Sequence, residues 1–219
     1  MKQTEQTDTA NEDMSNYIVN IKTVQSGAIR ILVEALKEIL TDTNIIFDET
    51  GVKLIATDNS HSVLIHMRLL ADKFEQYHCP KKTVIGVNMN NMYKLLKVMV
   101  NNDILSIFIE KNEPNKIGFK INNIDKNSQT IFKMNLLDIS DEEIVIPPVS
   151  FETELTFPSA EFQKLIRDMT NIGELIDIKS VGNNLMLNCE GDFALQETVL
   201  SETQDGLNSI VSLVYPTSN

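Results

Sequence analysis

Asp58, Ser60 and His61 are the residue types of a hydrolase triad, crowded into the run Asp58-Asn59-Ser60-His61. Residues this close in one turn rarely reach the nucleophile–base–orienter geometry, and neither a GxSxG elbow nor a Gly-rich oxyanion loop accompanies them. A hydrogen-bonded turn is expected instead. His66 falls in a strand pattern and His78-Cys79 in a loop. The 3 histidines and 2 cysteines, Cys79 and Cys189, show no ligand or CxxC spacing, so neither a metal site nor a disulfide framework is expected. No Walker A, GxGxxG, HExxH or EF-hand pattern occurs. A protein that is not an enzyme, with no cofactor, is the expectation.

Lysine and arginine point to a different chemistry. Arg30 and Lys37, Lys94 and Lys97, and Lys164 and Arg167 are spaced seven, three and three residues apart. Each pair lies in a stretch with helical apolar periodicity and so falls on one side of its helix. These six of the 19 basic residues belong to a chain of net charge −12, a balance that by itself argues against nucleic acid. Glu34, Glu38, Glu161 and Asp168 dilute two of the helices, and an ordinary solvated face is the competing explanation. Recurrence at equivalent places favours a phosphate track that reads no sequence.

The elements that must carry these residues recur in one order. Tyr17–Thr23 is β-prone, and after Gln25-Ser26-Gly27 the residues Ile29, Leu32, Val33, Leu36, Ile39 and Leu40 form a helical stripe. Three strands are expected at Asn44–Phe47, Val52–Ala56 and Ser62–Leu69. The order restarts with a strand at Val84–Asn88 and a helix over Asn90–Val100 carrying Met92, Leu95, Leu96 and Met99. Strands follow at Ile104–Ile109, Lys116–Ile121 and Thr130–Leu137. A third copy opens with Phe151–Phe157. Ser159 is its expected helix cap, and Phe162, Leu165, Ile166 and Met169 form the buried face. Ile176–Ser180, a turn at Gly182-Asn183-Asn184, Leu185–Cys189 and Ala194–Leu200 complete it.

The pattern is βαβββ repeated at about 60–70 residues, an α+β chain with helices on one face of antiparallel sheets. It implies a disordered tail over 1–16, a first domain over 17–137 holding two units, an acidic connector over 138–150 and an incomplete second domain over 151–219. A fourth unit beginning at Ile210–Tyr215 would run past Asn219, so a chain cut short is expected. The 219 residues suffice for a large core without staples. The N-terminus has no apolar h-region, and no apolar run approaches the roughly 20 residues that span a bilayer. A soluble, intracellular protein in a reducing compartment is expected, with no membrane partner.

Several segments resemble the PCNA sliding clamps. Val24-Gln25-Ser26-Gly27 leading to Val33-Glu34-Ala35-Leu36-Lys37 is similar to their opening helix. So are Ala56-Thr57-Asp58-Asn59-Ser60-His61, Gly86-Val87-Asn88, Met92-Tyr93-Lys94-Leu95-Leu96-Lys97 and Leu136-Leu137-Asp138-Ile139. Ile146-Pro147, Phe157-Pro158-Ser159-Ala160-Glu161-Phe162, Arg167-Asp168-Met169 and Asn171-Ile172-Gly173 continue the likeness, which runs from about Tyr17 to about Glu202. Leu207–Asn219 does not share it, the tail before Tyr17 is extra, and Val181-Gly182-Asn183 stands where eukaryotic clamps often carry a modifiable lysine.

The resemblance implies the DNA-clamp fold and a ring. Subunits would join head to tail as a homotrimer through edge strands, here Thr130–Leu136 and about Asn184–Cys189. Helices would line the bore, with Arg30, Lys37, Lys94, Lys97, Lys164 and Arg167 as DNA-binding positions on double-stranded DNA. Partners would be DNA polymerase and other replication and repair proteins carrying a motif with a glutamine and two aromatics, received by His61, Leu64, Ile144, Ile146 and Pro147. A clamp loader, and a nuclear location or a viral replication site, are implied as well. The alternative is a truncated, clamp-derived module that binds partner peptides or modulates full-length clamps without closing a ring.

Overall fold

The computed structural model describes residues 14–140, 144, 158–181 and 184–201. Two compact units divide the chain, 1–145 and 146–219. The expected strand at Phe151–Phe157, the possible strand at Ile210–Tyr215 and all of the connector from 141 to 150 except Ile144 lie outside the described residues.

In the first unit the chain forms β1 (Tyr17–Thr23), α1 (Ser26–Lys37), β2 (Asp42–Asp48), β3 (Gly51–Thr57), β4 (Leu64–Leu70) and β5 (Gln76–His78). Then come β6 (Thr83–Asn88), α2 (Met89–Leu96), β7 (Ile104–Glu110), β8 (Lys116–Asn123) and β9 (Ser128–Asn135). The short strand β5 corrects the expected loop at His78: it pairs with β1, and no alternation in so brief a run announces it. The tail assignment is corrected at its end. Met14–Asn16 forms a 3-10 turn, and the Asn16 carbonyl accepts from the Lys111 amide at 2.9 Å.

The two repeats exchange their first strands. β1 opens the first repeat but pairs with β7, in the antiparallel order β5-β1-β7-β8-β9. β6 opens the second repeat but pairs with β2, in the order β4-β3-β2-β6. One core joins both sheets and helices, drawing Val33 and Leu36 from α1 and Met89, Met92 and Leu96 from α2. Two glycines mark close approaches. Phe108 lies across from Gly118 in register, its ring occupying the place a Cβ would take. Leu137 bridges to Gly86, and a Cβ there would strike the Leu137 carbonyl.

α2 is shorter than the expected 90–100, because the polypeptide turns into β7 through a buried acid. Asp103, 3 % exposed, accepts from the Val100 amide at 2.8 Å and from Asn123 Nδ2 at 2.6 Å. Val100 N is thereby withdrawn from any helical partner. Ser26 Oγ donates to the Val100 carbonyl at 3.0 Å, fixing the end of α2 to the start of α1. A matching bond joins the start of α2 to the end of α1, Met89 N to Thr41 O at 2.8 Å.

The second unit contains α3 (Ser159–Thr170), β10 (Ile176–Val181), β11 (Asn184–Glu190) and β12 (Leu195–Ser201), with sheet order β10-β11-β12. Among the described residues its core consists of Met169, Leu185, Leu187 and Cys189, with Leu165, Ile166 and Ile172 packed against them. Pro158, not Ser159, is the residue before the helix, and its carbonyl accepts from Glu161 N at 3.1 Å. Phe162 is 42 % exposed and Ile39 41 %, so each sits at the margin of the stripe in which its spacing placed it. Asn184 belongs to β11 rather than to the turn before it.

Candidate nucleic-acid interface

α1 and α2 lie side by side, and the basic positions of α1 run along its border with α2. The two cations there differ from the freely solvated side chains that sequence spacing suggested. Lys37 pairs with Glu38, and its Nζ stands 4.8 Å from the centre of the Tyr93 ring. The Glu38 carboxylate raises its pKa, which remains far above neutrality. Tyr93 OH donates to Glu34 at 2.8 Å, and that bond raises the Tyr93 pKa. Arg30 is half-buried, with its Nε enclosed and without a hydrogen-bond partner among the described residues.

Lys94 and Lys97 of α2 are exposed and form no ion pair among the described residues. Amphipathic spacing explains their outward position: Met92, Leu96 and Met99 are the buried residues of this stretch. In the second unit Lys164 and Arg167 are likewise exposed, opposite the buried Met169. Among the described residues four of the six basic positions are exposed and unpaired, Lys37 is engaged by Glu38 and Tyr93, and Arg30 is half-buried but unpaired. Sequence spacing gave no sign of Tyr93, whose hydroxyl and ring organise Glu34 and Lys37 from the neighbouring helix.

Asp58, Ser60 and His61 come together as a turn without triad geometry. Asp58 accepts from Ser60 Oγ, from Ser62 N at 2.8 Å and from Val63 N at 2.8 Å. The Ser60 hydroxyl therefore gives its proton to a carboxylate, while His61 Nδ1 meets Thr57 Oγ1 at 3.0 Å. Those hydrogen bonds, with the Ser60 hydroxyl foremost, hold the Asp58 carboxyl at about 2. His61 takes a φ of 55°, a left-handed conformation rare for a side chain of its size, which the Asp58 bonds on either side support. The turn displays His61, Val63 and Leu64 to solvent, the last two each 44 % exposed. Ile144 is half-buried; Ile146 and Pro147 lie outside the described residues.

The strand edges alter one expectation. Among the described residues β9 is an edge strand, paired along its length only with β8. β11, which contains Asn184–Cys189, is not an edge: β10 and β12 occupy both of its sides. Its ladder groups are spent inside the unit, so it cannot serve as a joining strand. β12 is the outer strand on that side among the described residues. No group of three His, Cys, Asp or Glu that could hold a metal ion occurs among the described residues.

Comparison with known proteins places this geometry. Residues 18–143 match the family described as proliferating cell nuclear antigen, N-terminal domain, and residues 145–211 its C-terminal domain. The chain is 35 % identical over 198 residues to a probable DNA polymerase sliding clamp of Paramecium bursaria Chlorella virus 1, covering 89 % of this chain and 76 % of that one. It is 29 % identical over 168 residues to the proliferating cell nuclear antigen of Chaetomium thermophilum, covering 77 % of this chain and 64 % of that one. The crystal structure of the Entamoeba histolytica protein of the same name superposes with a TM-score of 0.77 at 26 % identity, over 84 % of this chain and 74 % of that one. With its fold of antiparallel sheets and few helices, and with family matches from residue 18 to 211, the chain belongs to the PCNA family of DNA polymerase sliding clamps.

Proposed function

We propose that this chain works as a ring around duplex DNA, tethering DNA polymerase and other replication and repair proteins to the template. The observation that carries the reading is the set of exposed cations on equivalent helices, Lys94 and Lys97 on α2 and Lys164 and Arg167 on α3, in a chain of net charge −12. Arg30, half-buried and unpaired among the described residues, and Lys37, engaged by Glu38 and Tyr93, complete the DNA-facing set. Such a surface attracts phosphate without reading bases, and the acidic remainder repels it. Topology then retains the ring, so weak contacts suffice and sliding is allowed.

Ring closure requires a heterologous contact repeated head to tail. The edges proposed for a homotrimer are β9 and β12. The turn bearing His61 and Leu64, with Ile144, Ile146 and Pro147, would receive the partner motif, and a clamp loader would open the ring. Work in a nucleus or at a viral replication site follows from that role. Enzymatic activity has no part in this role, since topology and tethering supply the function.

The test is retention. Loaded on nicked circular DNA, the protein stays bound; on linear DNA of the same length it runs off the ends. Equal retention on both overturns the ring. A monomer that still binds a clamp-motif peptide would favour the module that works without closing.

A further inference from the structure

We propose that Arg30, Asn101 and Asn102 form one defined phosphate seat at the end of the α1–α2 pair, taking a single phosphodiester of the duplex backbone. The inference rests on the reading of these helices as the DNA-facing surface. It adds a fixed point, with neutral donors, to what is otherwise a band of separate charges.

Arg30 and the loop residues Met99, Val100, Asn101 and Asn102 line an open hollow of about 560 Å³. The guanidinium has no ion pair among the described residues, its Nε is enclosed, and both asparagines are exposed. A phosphodiester carries one negative charge on two free oxygens. One guanidinium with neighbouring carboxamide N–H groups matches that need, the cation supplying attraction and the amides direction.

The loop is built to hold its position. Asp103 turns its carboxylate inward onto Val100 N and Asn123 Nδ2, so that acid is spent on the loop and is 97 % removed from solvent by its 3 % exposure. Ser26 Oγ ties the Val100 carbonyl to the first turn of α1. Gly27 supplies a further condition: a Cβ there would come within 2.6 Å of Asn101 Oδ1, so a side chain at 27 would push this carboxamide away from the helix start. The run Gln25-Ser26-Gly27, which is conspicuous in the sequence but carries no charge, thereby acquires a role. It seats the loop that faces Arg30.

Charge and direction can be separated experimentally, because a neutral carboxamide releases no counterion. The full 219-residue chain is titrated against a fluorescein-labelled duplex of about 30 base pairs, followed by anisotropy from about 25 to 150 mM KCl. Arg30→Ala is expected to weaken binding and to reduce the magnitude of the salt slope by about one. Asn102→Ala, and Asn101→Ala with Asn102→Ala, are expected to weaken binding about 3- to 10-fold with the slope unchanged. Gly27→Ala, which displaces Asn101, is expected to share the signature of the asparagine variants. Asparagine variants that bind like the unmodified chain while Arg30→Ala weakens it would overturn the seat and leave only diffuse attraction. An unmodified chain without salt-dependent binding, or one indifferent to joint replacement of Arg30, Lys94 and Lys97, would remove the DNA-facing reading itself.

Discussion

The α1–α2 pair and α3 come from the same βαβββ pattern yet present their charges differently. In the first unit two repeats exchange strands and share one core, and the helices border each other. Arg30 and Lys37 consequently meet neighbours: the loop Met99–Asn102 in one case, Tyr93 and Glu38 in the other. α3 packs against Leu185, Leu187 and Cys189 of β11 among the described residues, and its Lys164 and Arg167 remain exposed. Basic residues placed by helical spacing are thus engaged or exposed according to what lies beside them. Only free charge can be surrendered cheaply to phosphate, since a held lysine must first leave its carboxylate and ring.

The sharpest way to break this comparison is to damage one core. Phe119 is fully buried in the first unit, and Phe119→Ala is expected to cost about 3–5 kcal/mol there. Hydrogen exchange should then show lost protection in α1 and α2 with α3 unchanged. Equal loss in α3 would mean that the units unfold as one body.

A smaller effect tests the junction of the helix pair. Asp103→Ala leaves Val100 N and Asn123 Nδ2 without their buried acceptor and is expected to cost about 2–3 kcal/mol by urea denaturation. Asp42, which accepts from Asn88 Nδ2 at 2.6 Å near the opposite end of the pair, is exposed. Asp42→Ala is expected to cost only about 0.5–1 kcal/mol. Similar costs would show that the two ends are equivalent in strength as well as in topology.

Held and free lysines should then separate in DNA binding. Lys97→Ala is expected to lower the salt slope by about one. Lys37→Ala should change it less, because Glu38 and Tyr93 already engage that charge. An equal drop would mean that the pairing dissolves at no cost on contact with DNA.

The smallest effect is lost in acid. Hydrogen bonds, first from the Ser60 hydroxyl, hold Asp58 at about 2 against a usual value near 3.9. Its stabilising contribution to the turn is therefore fully present above the unfolded value and is lost as pH falls through about 2. Asp58→Asn should lower the melting temperature slightly at neutral pH, where the contribution is fully present, and flatten its dependence on pH over that window. An unaltered acid profile would show that the turn does not depend on this carboxylate.

Much of the architecture was legible because burial imposes a period. β1 matches its expected bounds, and β6, β7 and β8 lie within one or two residues of theirs. Alternation failed for β5, whose three residues are too few to show a period. It also failed at the end of α2, where the buried acceptor Asp103 overrides an apolar pattern that runs on to Met99 and Val100. The site was half legible. Spacing marked the six basic residues of the proposed surface but not Tyr93, nor the Asn101 and Asn102 of the proposed seat, whose places depend on a neighbouring helix or loop. The turn at Asp58 was correctly read as a turn, since four adjacent residues have no room for a triad.

The sequence by itself determined the repeat, the element types and the side of each helix that bears charge, because these follow from local periodicity and from the cost of burying ions. Only the tertiary structure decided which strands pair. Strand exchange puts β1 beside β7 and β6 beside β2, and β11 is closed on both edges, leaving β12 outermost among the described residues. Pairing is a long-range choice among strands of similar pattern, settled by how two sheets and two helices fill one core. That same packing separates the engaged Lys37 and the half-buried Arg30 from the exposed Lys94 and Lys97.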